Sequence, residues 1–215
     1  MRLTAEETRD LHHPPDHADD RWILPAPRRR ADRQAVAPVL AQMLDALAGT
    51  PALVMNHRMD VLRWNRPAAA VLGDFARLQR SDRNAARLVF LDTGWRLLSN
   101  RSGYSRLCVD HLRRAAERDP DDAALVGLIG ELSVKSPGFR QHFAQRPRQR
   151  RSPVINAHHP STGPVRAVVD TLIMAHHPCQ TLLIAHPLDG TAAEGIRWLT
   201  DATAAGGGAP HAPVD

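Results

Sequence analysis

Apolar positions are sparse before residue 36 and regular after it. In Val36, Val39, Leu40, Met43, Leu44 and Leu47 they recur at helical spacing, with Gly49 and Pro51 as the stop. The pattern then shortens. Ala52-Leu53-Val54-Met55 and Val61-Leu62-Arg63-Trp64 read as two strands of a hairpin, with His57-Arg58 in the turn. Asn65 is placed to cap a helix with Pro67 in its first turn and Ala69, Val71 and Leu72 behind it.

Residues 81–144 return to helical spacing. Asp92 or Thr93 is a candidate cap for a short piece near Trp95. Leu107, Cys108, His111, Leu112 and Ala115 form one face of a helix ending near Asp119. Asp119-Pro120-Asp121-Asp122 is a restart signal, combining a capping oxygen, a proline suited to the first turn, and acids facing the positive end of the helix dipole. Leu125, Leu128, Ile129 and Leu132 line the next helix, and Ser136-Pro137 starts another through Phe139 and Phe143. From residue 152 the period becomes that of strands, at 152–159, 165–174 and 181–186. Pro160-Ser161-Thr162-Gly163 and His177-Pro178-Cys179-Gln180 are the expected turns. Thr191-Ala192-Ala193-Glu194 has the form of a capping box opening a last helix that buries Ile196 and Leu199.

The predicted order is helix, two strands, several helices, three strands, helix. That is an α+β fold: a PAS-like antiparallel five-stranded sheet, a helical insert between strands 2 and 3, and flanking N- and C-terminal helices. Helices packed on one face of such a sheet leave a cavity between the layers. Three parts are expected: an arm or linker at 1–35, a domain at 36–201, and a disordered tail at 202–215, where Gly206, Gly207 and Gly208 cluster.

Composition narrows the function. The chain has 215 residues, enough for one real core plus an arm. Aromatic residues are only 4%, so aliphatic packing carries the core. The net charge is +5, and every basic residue but Lys135 is arginine. A basic balance permits contact with nucleic acid without establishing it. The Arg28–Arg30 and Arg146–Arg151 runs read either as solvated loops or as non-specific phosphate grips. Two cysteines, Cys108 and Cys179, make neither a zinc knuckle nor a disulfide framework. No apolar run reaches the roughly 18 residues of a membrane span, and the N-terminus lacks a signal-peptide core. A cytoplasmic protein with no membrane contact is expected.

Catalytic patterns do not assemble. There is no Gly-x-Ser-x-Gly elbow, no GxGxxG and no phosphate-binding loop ahead of a lysine. Asp60 and Asp170 find no acid–base partner by pattern. His158-His159 and His176-His177 flank one strand at opposite ends, roughly 30 Å apart for ten residues at ~3.3 Å each, too far for one metal. Neither an enzyme, a metal site nor a cofactor is expected.

The ordered pieces Thr50-Pro51-Ala52-Leu53-Val54-Met55, Met59-Asp60-Val61-Leu62-Arg63-Trp64-Asn65, Leu72-Gly73-Asp74-Phe75 and Arg83 through Asp92 resemble an MmyB-type ligand-binding domain. Arg118 through Asp122, Gly130-Glu131-Leu132-Ser133, Ser136-Pro137, Phe139-Arg140, His159-Pro160 and Gly163 extend the resemblance over about 36–201. Such domains occur in XRE-class helix-turn-helix transcription regulators. The resemblance implies a PAS-like sensor with a buried apolar pocket for a fatty-acid-like or other apolar acidic molecule, and no catalysis. It implies DNA contact only through a helix-turn-helix, missing here or on a separate partner. Residues 3–11 look like the end of such a domain. After Phe139-Arg140 the text, His142 through Arg148, departs from the family pattern. The alternative is a protein-interaction module that forms a homodimer or docks a separate DNA-binding partner.

The candidate ligand residues are Arg63, Trp64, Arg83, Asn84, Arg87 and Phe90. Arg83, Asn84 and Arg87 share a helical face at spacings of three and four. A guanidinium can hold a carboxylate by two parallel bonds. The competing reading is that these three tie a helix to the sheet through backbone carbonyls. Arg63 faces either the cavity or solvent. Trp64 and Phe90 serve as core, ligand wall or both.

Overall fold

In the computed structural model, residues 35–91, 101–145, 154–159, 161–174 and 177–205 are described. Helix α1 (Pro38–Ala46) leads into β1 (Ala52–Asn56) and β2 (Val61–Trp64). The helical insert follows: α2 (Arg66–Leu72), a 3-10 turn (Phe75–Arg77), α3 (Ala85–Phe90), α4 (Arg101–Arg118), α5 (Ala123–Lys135) and α6 (Pro137–Ala144). Strands β3 (Val154–His159), β4 (Gly163–Met174) and β5 (His177–Pro187) and helix α7 (Gly190–Ala205) complete the order. The five strands form one antiparallel sheet in the order β2-β1-β5-β4-β3, the α+β, PAS-like layout expected from the sequence.

The sheet has two apolar faces. Strand alternation sends Ala52, Val54, Leu182 and Ile184 to one side, where Leu40 and Leu44 of α1 cover them. Burying each of those leucines is worth about 1.5–3 kcal/mol. The opposite side packs Leu53, Met55, Val169, Leu183 and Ala185 against the insert and α7. Helices expected on one face therefore lie on both. Val39, counted in the apolar stripe of α1, is 38% exposed. It falls one residue off the line through Leu40 and Leu44.

Asn65 ties the start of the sheet together. Its Oδ1 accepts from the backbone N–H groups of Ala68, as the cap of α2, and Ala52. Its Nδ2 donates to the carbonyls of Leu47 and Thr50. Ser136 caps α6 as predicted, accepting from the N–H of Phe139.

Three predicted boundaries move. Helix α5 begins at Ala123, not after Asp119, because Asp122 Oδ1 accepts from the N–H groups of Ala124 and Leu125. Helix α7 begins at Gly190, since Asp189 accepts from Ala192 N–H and leaves Thr191 inside the first turn. The expected turn His177–Gln180 belongs to β5. Strand β4 pairs Ile173 with Thr181 and Met174 with His177, so Pro178 falls in an irregularity where no ladder donor is required of it. The expected cap at Asp92 or Thr93, residues 1–34 of the arm and residues 206–215 of the tail lie outside the described residues; residues 202–205, expected in the tail, belong to α7.

Candidate functional site

The six residues singled out from the sequence do not converge on one place. Arg63 is on the α1 side of the sheet, where its Nη2 donates to both carboxylate oxygens of Asp45 at 2.9 and 3.0 Å. The pair is exposed. Trp64, the next residue, points to the other side and stacks obliquely on Phe75, ring centroids 5.3 Å apart. Arg83 lies over the Trp64 ring at 5.7 Å and donates to the carbonyls of Leu78 and Ala76.

Asn84 is fully buried and caps α3, accepting from Arg87 N–H. Its Nδ2 donates to the Arg58 carbonyl and to Asp60 Oδ1. Backbone bonds from Val61 N–H to Arg83 O and from Ala85 N–H to Met59 O complete a clip between α3 and the hairpin. Met59 holds a left-handed φ of 66° in that turn. Arg87 turns toward α5, where Nε and Nη2 both donate to Glu131 Oε2 and Nη1 donates to Ser81 O. Lys135 holds the other Glu131 oxygen. Phe90 meets Phe139 edge-on at 5.1 Å, and Phe139 stacks on Phe143.

None of the six lines the larger internal cavity. That void, about 20 Å³ and roughly one water in size, lies between the sheet and helices α2, α4 and α7. Val71, Leu72, Ile155, Val169, Leu183 and Ile196 are among its walls, and Tyr104 at the start of α4 supplies its one side-chain polar group. Burial pushes the Tyr104 hydroxyl far above its ordinary value, with the Cys108 thiol adding to it, so it stays protonated and can donate.

A second, smaller void of about 10 Å³ sits further along α4. His57, His111, Arg114, Arg118, Pro178 and Thr181 are in its lining. His57 Nε2 is 2.7 Å from Asp122 Oδ2, both side chains buried. Burial opposes ionisation of Asp122, but bonds from His57 and Leu125 and the nearby charges of His57 and Arg58 prevail and hold its carboxyl below the ordinary range. His111 is pushed down to about 4 by burial and by the Arg114 charge, so it is neutral at pH 7. Among the described residues its Nε2 has no hydrogen-bond partner.

The sequence places Val71, Leu72, Ile196, His57 and His111 in the core or in turns, and marks neither lining as a site. Tyr104 carried a faint signal, as the chain's single tyrosine four residues before Cys108 on an apolar face. The meeting of His57, His111 and Asp122 had none, because 54 and 65 positions of chain separate His57 from the other two.

One family model matches the chain, the MmyB-like transcription regulator ligand binding domain, over residues 36–199. The chain belongs to that family. Comparison with curated proteins finds no match. An MmyB-like domain is the ligand-binding part of a transcription regulator, and the family is non-catalytic. Among the described residues, no helix is long and apolar enough to cross a membrane.

Proposed function

We propose that this MmyB-like domain is a cytoplasmic sensor that binds a fatty-acid-like or other apolar acidic molecule in the core between the sheet and helices α2, α4 and α7. The supporting observation is the cavity at Tyr104. Its walls are aliphatic apart from that hydroxyl, and come from the sheet and helices α2, α4 and α7. Pockets for molecules of drug size measure about 300–1,000 Å³. The void must therefore widen on binding. Widening would couple occupancy to the flanking helices, which is what a regulator needs.

Arg83, Asn84, Arg87, Trp64 and Phe90 lie in or against the helical insert, and Arg63 braces the far face of the sheet. Capture of an acid by Arg83 or Arg87 would cost the bonds to Leu78, Ala76, Ser81 and Glu131 described above. DNA would be reached through a helix-turn-helix, attached or on a separate partner, and a homodimer is the simplest assembly. The interaction-module alternative gains little support. Among the described residues, the most exposed large apolar side chains, Val126, Val134, Ile173 and Trp198, are spread over α5, β4 and α7.

Native mass spectrometry of protein purified from cells tests the proposal. A bound mass of lipid size is expected. Empty protein that also takes up no fatty acid in solution would overturn it.

A further inference from the structure

The sheet face under α1 is covered over only part of its width. Strand register puts Val154, Val168 and Leu172 on that face, with Val168 beside Val154 and His186, and Leu172 beside Leu182. Leu182 and Ile184, which pack with α1, are 0% and 8% exposed, whereas Leu172 and Val154 are 37% and 36% exposed. Val168, between them, is half-buried and stands outside the cluster that α1 builds. An apolar strip therefore runs along β4 and β3, open among the described residues and flanked by α1. Arg166 and the Asp170–His186 pair rim it. An apolar patch with a polar rim is the form of a contact surface.

The chain enters the fold at the border of this strip. Gln180 of β5 accepts from the N–H of Ala37 and donates to the carbonyl of Ala35. Gln180 is two residues along β5 from Leu182, the neighbour of Leu172. At about 3.4 Å per residue and 4.8 Å per strand, the entry point lies on the order of 10 Å from Leu172. Ahead of it, residues 1–34 contain a single run of three apolar residues, Trp22-Ile23-Leu24, directly after Asp19-Asp20-Arg21. The chain from Leu24 to Ala35 can span up to about 38 Å, several times the distance required.

We propose that Trp22-Ile23-Leu24 docks on the strip over Val154, Val168 and Leu172, beside α1. The exit point and length of the arm favour this occupant. Charge does as well: Arg166 is exposed at one end of the strip with no ion-pair partner among the described residues, and Asp19 and Asp20 adjoin the apolar run. A second copy of the chain fits less well. Helix α1, about 10 Å across, stands on the same face and keeps another sheet from lying flat on the strip, whereas one narrow segment has room. Docking also gives the arm a task. Val168 alternates with Ala167 and Val169, which wall the apolar void on the opposite face. The arm thus lies on the back of a cavity strand, and movement of β4 reaches the residues ahead of the domain.

The test is the fluorescence of Trp22 in the full chain, taken as the difference between wild type and Trp22→Phe. Emission to the blue of tryptophan in water, shielded from acrylamide and unchanged on dilution, is expected. Leu172→Asp, at an exposed position, should move the emission to the red and open it to acrylamide. Val126→Asp, on α5 and remote from the strip, should leave it as in wild type, and circular dichroism of both variants certifies the fold. A water-exposed Trp22 in wild type would overturn the docking. A shielded Trp22 that Leu172→Asp leaves unchanged would overturn its placement on the strip. Shielding lost on dilution, together with a sedimenting dimer that Leu172→Asp splits, would give the strip to a second copy and overturn the proposal.

Discussion

His57 Nε2 and Asp122 Oδ2 lie 2.7 Å apart, joining the β1–β2 turn to the first turn of α5. Asp122 does two tasks at once, because its other oxygen caps that helix. Asp122→Ala should remove the cap and leave the His57 ring buried without its acceptor, lowering stability by about 2–4 kcal/mol. Asp122→Asn, which keeps a capping oxygen, should cost less. Urea unfolding of the three proteins measures both.

His111 makes stability depend on pH in a defined window. Its folded pKa, about 4, lies below the ordinary 6.5, so the unfolded chain binds the extra proton first. Its contribution is complete above pH 6.5 and is lost as pH falls toward 4, amounting to about 3 kcal/mol at most. His111→Gln should flatten this limb of the stability curve. An unchanged slope between pH 4 and 6.5 would show that the ring is solvated.

A second loss of stability is expected in stronger acid. Asp122 is held below its ordinary 3.8, and Glu131 below 4.5, the latter chiefly by the bonds from Lys135 and Arg87. Depressed carboxyls stabilise above their unfolded values and lose that contribution as pH falls through the folded ones. Chemical unfolding from pH 5 to 3 should show the fall, and Glu131→Gln should reduce it.

Arg63 and Asn65 stand two residues apart and should differ sharply. The Arg63–Asp45 pair is exposed, and Arg63→Ala should change stability by no more than about 0.5 kcal/mol. Asn65→Ala loses four part-buried hydrogen bonds joining α1, β1 and α2, at about 2–4 kcal/mol. Thermal or urea denaturation separates the two.

Filling the apolar void should block the ligand while the chain still folds. Ala167 lies on its wall, 2% exposed. Ala167→Phe should abolish co-purification of a lipid-sized mass at a cost of about 1–3 kcal/mol in stability. Retained ligand at wild-type occupancy would place the chain elsewhere.

Local chemistry made much of the fold legible. Asn65 and Ser136 announced their helices because a capping oxygen acts within three residues. The apolar periods located all five strands, β2 to the residue. Where two local signals competed, the sequence could not rank them. Asp119 and Asp122 are both good caps, and Asp122 wins because His57, from another part of the chain, helps to hold it. Pro178 looks like a turn residue until β4 supplies the irregular pairing that accommodates it.

The candidate site shows the same division. Sequence alone determined a hairpin, a helical insert, three more strands and an aliphatic core, since those follow from spacing and side-chain size. It also marked Arg83, Asn84 and Arg87 as neighbours on one short segment. Only the tertiary structure decided what each faces: Arg63 Asp45, Arg83 the Trp64 ring, Arg87 Glu131. It alone set the two voids along α4, because that depends on β4 and β5 passing under a helix some sixty residues earlier. Spacing fixes which face a residue occupies; only packing fixes what lies opposite.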